Sequence, residues 1–289
     1  MTNSEQFQNL PLSNVFMFGE VMRQEGICKL FLEALLQRPI ERVVYVSKEE
    51  TISDELSWHG IRLDVYMKDG AGTMYNIEMQ AVSRDDLPRR IRYYQGTMDR
   101  RALESGRDYR ELPDSFIIFV CAFDYFGGGL AVYRRKTVLE GREDIPYEDG
   151  SHVYVLNSEY REGNAAPAIL EYLRCIRDND VDYGYESELM RAVCPAIKSI
   201  RRDEGKEASY MTMQMLMADE RRAGHEEGLQ EGLKEGMRKG RAGGVMAAIS
   251  SLMTTMNWPI ERAMEALSVP EDERSQYAAL LQKGQEMTL

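Results

Sequence analysis

Histidine, tryptophan and cysteine are scarce in this chain of 289 residues, with three, two and four copies. The cysteines, Cys28, Cys121, Cys175 and Cys194, are scattered, and the closest two stand nineteen positions apart with no histidine near them. Such spacing excludes a zinc-finger pattern and a disulfide framework, and fits reduced thiols. His59, His152 and His225 are too far apart to make a metal or triad motif, and neither Gly-x-Ser-x-Gly nor a P-loop occurs. No apolar run nears the ~18 residues of a membrane helix. The first residues, MTNSEQFQNLPLSN, carry neither the basic lead nor the apolar core of a secretion signal. Basic residues are outnumbered, 36 against 48 acidic, for a net charge of -12. That balance excludes a general nucleic-acid coat, but not an enzyme that grips DNA through one local basic surface. The expectation is a folded cytoplasmic protein with no membrane partner.

Hydrophobic residues make up 43% and charged residues 29%, ordinary for a globular chain long enough for one or two domains. The spacing over SNVFMFGEVMRQEGICKLFLEALLQRP predicts one helix, capped by Ser13 or Asn14 and closed by Pro39. VVYVS reads as a short strand. IRLDVYMKDGAGTMYNIEMQAV alternates on both sides of a glycine-rich turn, the pattern of a hairpin. LPRRIRYYQGTMDRRALESG returns to helical spacing, and the apolar run FIIFVCAF predicts a central strand buried on both faces. AVYRRKTVLE and SHVYVLNSE read as further strands or a hairpin extension. From about residue 161 the chain reads as helices: APAILEYLRCIRDND, ESELMRAVCPAIKSIRRDEGKEA and SYMTMQMLMADERRA. A tract with glycine at 224, 228, 232, 236, 240 and 244 follows, then short amphipathic helices broken at Pro259 and Pro270.

The hairpin carries the chemistry. Leu63, Val65 and Met67 share one face of its first strand, with Asp64, Tyr66 and Lys68 on the other; its second strand sets Tyr75, Ile77 and Met79 against Met74, Asn76, Glu78 and Gln80. Residue numbers of facing pairs sum to a constant, and the sum that keeps apolar opposite apolar is 142. Asp64 then faces Glu78. Two carboxylates ~5 Å apart repel unless something neutralises them, and a hard divalent cation does so. An ion held there beside a phosphodiester supports metal-assisted hydrolysis. Gln80 lies one step along the same face, where its uncharged amide can orient water or a phosphate oxygen but cannot act as a base. The competing reading is a solvated outer face; Tyr66 and Met74 on that face argue for a cleft.

These residues resemble a known family. The order helix, strand, strand with Asp, strand with Glu-x-Gln, helix, apolar strand is similar to the PD-(D/E)xK nuclease core, and closest to its recombination-promoting nuclease / putative transposase branch. LSNVFMFGEVM, GIRLDVYMKDGAGTMYNIEMQ, LPRRIRYYQGTMD and DSFIIFVCAFDYFGGG carry the likeness, with the late glycine-spaced tract. The resemblance implies an α/β fold, a restriction-endonuclease-like mixed sheet flanked by helices and followed by an all-helical C-terminal region. It implies Asp64 and Glu78 as metal ligands for Mg²⁺ or Mn²⁺, with Gln80 where the wider superfamily has lysine and Glu20 as a further acidic group, or else a plain surface carboxylate. The implied activity is DNA endonuclease, tied to recombination, mobile elements or defence. The alternative is a catalytically weak DNA-binding scaffold that assembles through its tail.

Outside the hairpin, residues 84–101 hold six arginines against three aspartates in an otherwise acidic chain. Arg89, Arg90 and Arg92, with Tyr93 and Tyr94, are candidate contacts to a DNA backbone; a solvated helix face is the other reading. Arg134, Arg135 and Lys136 form a smaller cluster at a strand edge. Glycines four apart drift slowly round one side of a helix, so residues 224–244 are expected either to pack on a second copy of the chain or to act as a charged linker. The expected division is a nuclease-like core at 1–160, a helical accessory region at 161–220, and the glycine-spaced tract with short helices at 221–289.

Overall fold

A computed structural model describes residues 3–45, 65–103 and 105–286. The chain divides into two compact units, Met1–Met211 and Thr212–Leu289. The expected boundary at 160 falls inside the first unit. That unit begins with a short helix α1 (Asn3–Gln8) and two further helices, α2 (Val15–Met22) and α3 (Glu25–Leu36). The sequence pattern predicts one helix here, and the chain makes two. Asn14 caps α2 by accepting the Phe16 amide at 2.9 Å. Arg23 closes α2 by donating its backbone N–H to Gly19 at 3.0 Å, and Gln24 turns extended before α3 begins. Gln37, at φ 54, ends α3 in a left-handed turn two residues before Pro39.

Six strands follow in one mixed sheet: β1 (Val43–Tyr45), β2 (Val65–Asp69), β3 (Met74–Gln80), β4 (Ser115–Cys121), β5 (Val132–Arg134) and β6 (Ser151–Asn157). Their order is β1-β2-β3-β4-β6-β5. β1, β2 and β3 run antiparallel, β3–β4 and β4–β6 parallel, and β5–β6 antiparallel. Each hairpin pair, from Val65 with Ile77 to Lys68 with Met74, sums to 142. The loop that sets this register is Gly70–Gly72, closed by the Asp69 N–H donating to the Thr73 carbonyl at 3.0 Å. Its turn needs the left-handed conformation at Gly72 (φ +86), which L side chains rarely adopt. All seven residues of β4 are buried, as expected of a strand at the centre of a sheet.

Helix α4 (Leu87–Ala102) makes the crossover from β3 to β4 and lays Leu87, Ile91 and Met98 on Met74, Ile117, Phe119, Cys121, Val153 and Val155. The opposite face faces the helix layer. There Cys28 of α3 approaches the Met67 sulfur at 3.3 Å, and Phe31 meets Tyr172 of α5 (Pro167–Asp178) at 5.1 Å between ring centroids. α6 (Glu188–Ile200) packs against α2, α3 and α5. This is the α/β restriction-endonuclease-like architecture: a mixed sheet with flanking helices and a long helical C-terminal region.

Three segments read separately in the sequence form a single element, α7 (Glu204–Met256), 53 residues long. No proline interrupts it, and its glycines are spaced among good helix formers. In the second unit Ile249 of α7 joins Ala263 and Met264 of α8 (Ile260–Ala266), Val269, and Tyr277 of α9 (Glu271–Glu286) in a small core. Pro259 and Pro270 precede α8 and α9, as the sequence indicates. Among the described residues no helix is long and apolar enough to cross a membrane. Nothing among them comes within 4 Å of a side-chain carbon placed at Gly228, Gly232 or Gly236. Alanine at all three positions should therefore raise tail helicity and melting temperature, by about 1 kcal/mol per site, when followed by circular dichroism at nanomolar concentration. A fall in both would mean that the glycine side already packs on a neighbour.

Candidate functional site

Strand alternation puts Met74, Asn76, Glu78 and Gln80 on the face beneath α4. This face is buried, not solvated: Glu78 is 4% exposed and Asn76 0%. Gln80, at the strand's end, is partly exposed. The parallel register sets Glu78 beside Phe119 and Gln80 beside Cys121 on β4. Asp64, the partner expected for Glu78, lies outside the described residues.

Helix phase divides the arginine cluster. Leu87, Ile91, Tyr94 and Met98 face the sheet, and Arg90 falls within that stripe. Arg89, Arg92 and Tyr93 face outward and are exposed. Arg90 Nη1 donates to Gln80 Oε1 at 2.6 Å, and its Nη2 to the Tyr94 hydroxyl at 3.2 Å. Its guanidinium carbon sits 5.4 Å from the Phe119 ring centroid and 5.6 Å from that of Tyr94. Burial works against this charge, yet the Tyr94 hydrogen bond and the nearby Glu78 and Asp86 carboxylates raise the arginine above its ordinary pKa. Burial also pushes the Cys121 thiol up to about 12, against the pull of Arg90. Cys121 is thus a neutral wall of the site and no nucleophile.

Gln80 has little of the freedom expected of it. Its Oε1 accepts from Arg90, and its Nε2 donates to the Val82 carbonyl at 2.6 Å. Glu20, the further acid considered from the sequence, lies on α2 between two cations, Arg23 at 3.6 Å and Lys206. The structure thus joins Gln80, Arg90, Tyr94 and the charge of Glu78 at one place, while Glu20 is held in an ion pair with the start of α7. Among the described residues no three His, Cys, Asp or Glu side chains gather as a metal site.

One participant has another role than the sequence reading gave it, and one has no role there at all. Arg90 is expected from the sequence as a DNA-backbone contact beside Arg89 and Arg92, whereas it turns to Gln80 and Tyr94; its distinguishing signal is its helical phase beside Ile91. Asn76 is visible in the alternation, two residues before Glu78, but its burial is not. Neither Nδ2 nor Oδ1 of Asn76 has a hydrogen-bond partner among the described residues. An orphaned amide of this kind costs ~1–3 kcal/mol and calls for an explanation.

The chain matches the family model of PD-(D/E)XK nuclease family transposases at residues 15–140. Residues 15–140 carry that family's pattern. The matched stretch runs from α2 through β5 and contains the hairpin, α4 and β4. The family resemblance read from the hairpin and its flanks is thereby borne out, and it points to a nuclease-type function. PD-(D/E)XK nucleases usually work with divalent metal ions and act on DNA. No curated protein and no solved structure matches the chain significantly.

Leucine at position 76 should remove the unsatisfied amide at nearly constant volume. Relief of about 1–3 kcal/mol should raise the melting temperature by roughly 2–4 °C per kcal/mol in a thermal scan. A lower melting temperature would show that Asn76 has a partner in solution.

Proposed function

We propose that this chain is a divalent-metal-dependent DNA endonuclease that hydrolyses phosphodiester bonds, with Mg²⁺ or Mn²⁺ as its ion. The reading is carried by one observation: within the family-matched region, a carboxylate at 4% exposure shares a sheet face with an amide whose donor and acceptor find no partner among the described residues. That donor chemistry fits a hard cation, which prefers carboxylate and carbonyl oxygens. Glu78 would hold the ion, together with Asp64, which the sequence pattern expects opposite it. Asp64 and Glu78 are the proposed ligands and Gln80 the third member of the site; Glu20 would have to leave its ion pair to join them. When bound, the ion lowers the pKa of a water and draws charge from the phosphoryl oxygens. The chain's own residues orient the substrate and exclude bulk water, with Phe119 and Cys121 forming an apolar floor beside the carboxylate.

DNA is the proposed substrate, in recombination, mobile-element or defence chemistry. The exposed Arg89 and Arg92, with Tyr93 at 48% exposure, form the outer side of α4 and suit backbone contact. Assembly is proposed through residues 224–244, where Leu229, Leu233 and Met237 are each more than 60% exposed and recur every fourth residue beside the glycines. The same stripe favours the second reading, a catalytically weak DNA-binding scaffold.

Supercoiled plasmid incubated with Mg²⁺ or Mn²⁺ decides between them. The wild type should nick it, while Asp64→Ala and Glu78→Ala should abolish nicking and keep the fold; cutting by either variant would refute the ligand assignment. Gln80→Ala should lose less activity than either. Replacing Arg89 and Arg92 with serine should weaken duplex binding for all sequences and flatten the salt slope by up to about 1.8; an unaltered slope would make them a plain solvated face. Light scattering at micromolar concentration should give at least a dimer, and a monomer would remove residues 224–244 from the assembly.

A further inference from the structure

Among the described residues, Arg90 is a cation beside the candidate site whose hydrogen bonds go to neutral groups. Its hydrogen bonds use two of five N–H groups, and both acceptors, the Gln80 amide and the Tyr94 hydroxyl, are uncharged. The aromatic faces of Phe119 and Tyr94 support the guanidinium plane without neutralising it. Its charge therefore reaches Glu78 through space and remains available to a ligand. The remaining N–H groups have no hydrogen-bond partner among the described residues. Gln80, for its part, is fixed at both ends, between Arg90 and the Val82 carbonyl.

β3 itself carries no cation, and α4 brings the positive charge to its face. We propose that Arg90 is the catalytic cation of the site, donating to a non-bridging oxygen of the scissile phosphate, and that Gln80 is a positioning residue that acts by holding Arg90. The inference rests on the nuclease reading. An arginine suits the task because its planar fork can hold Gln80 and a phosphate oxygen together, and its pKa keeps it charged throughout. It cannot serve as the base; it stabilises charge that grows on the phosphoryl group as the bond to the leaving oxygen breaks.

The test uses the full-length protein in four forms: wild type, Arg90→Met, Arg90→Lys, and Arg90→Met combined with Gln80→Lys. Plasmid cleavage with Mn²⁺ should show Arg90→Met losing about 10²–10³ in kcat with KM little changed. Arg90→Lys should fall between it and wild type. The double variant, which returns the charge from the strand side, should recover at least part of the loss. Thermal melts identify any variant that fails to fold, and the double variant compared with Arg90→Met then carries the result. A second readout needs no turnover: calorimetric titration of the DNA-free protein with Mn²⁺ should show tighter binding in Arg90→Met, because a cation beside Glu78 has gone. Near-wild-type cleavage by Arg90→Met, no recovery in the double variant, or one Mn²⁺ affinity across all forms would overturn the role of Arg90 and leave the nuclease reading standing. A wild type that cuts nothing with either metal would overturn the nuclease reading, and the assignment of Arg90 with it.

Discussion

A carboxylate at 4% exposure on an inner strand has lost most of its water, so its charge must be compensated by neighbouring groups. Glu78 is in that position, and much of the surrounding structure answers to it. The hairpin presents it on the α4 face, the crossover helix covers it, and an arginine on that helix turns inward instead of outward. Phe119 and Tyr94 give the guanidinium two aromatic surfaces, so the charge is kept close on a side chain that is only partly exposed. The result is a polar patch against a core that includes Ile91, Ile117 and Val155.

Much of the fold was legible because period and parity are strict. The 142 sum of the hairpin follows from the need to keep Met67 and Tyr75 on one face, and a one-residue slip would have exchanged every side chain. The β4 run has no polar alternation, which only a central strand tolerates. Helix ends were less legible. The break at Arg23–Gln24 interrupts an apolar pattern that continues on both sides, so periodicity alone runs straight through it. α7 failed in the opposite way: six glycines look like interruptions, yet each costs only ~1 kcal/mol, and the Glu, Lys, Arg and Leu between them sustain the helix.

The site divides along the same line. Glu78 and Gln80 could be read from alternation, because a strand declares its two faces within a few residues. The burial of that face could not, since its cover arrives after the chain has turned back through α4. The arginine cluster was legible as charge but not as direction. Arg89 and Arg90 are neighbours in sequence and lie about 100° apart around the helix, so one meets solvent and the other meets Gln80.

The three-residue loop at Gly70–Gly72 has a consequence for how such a chain can vary. It acts as a ruler: its length decides which side of the sheet each β3 residue occupies. β3 is also locked to β4 by seven parallel pairs, from Met74 with Ser115 to Gln80 with Cys121, and cannot rotate to absorb a change. An odd insertion in the loop must therefore remain as a bulge at the tip, because passing it into the strand would carry Glu78 across to the α3 side, among Met67 and Tyr75. Length at this turn is thus held by parity, and drift in the hairpin is confined to steps of two or to the tip itself.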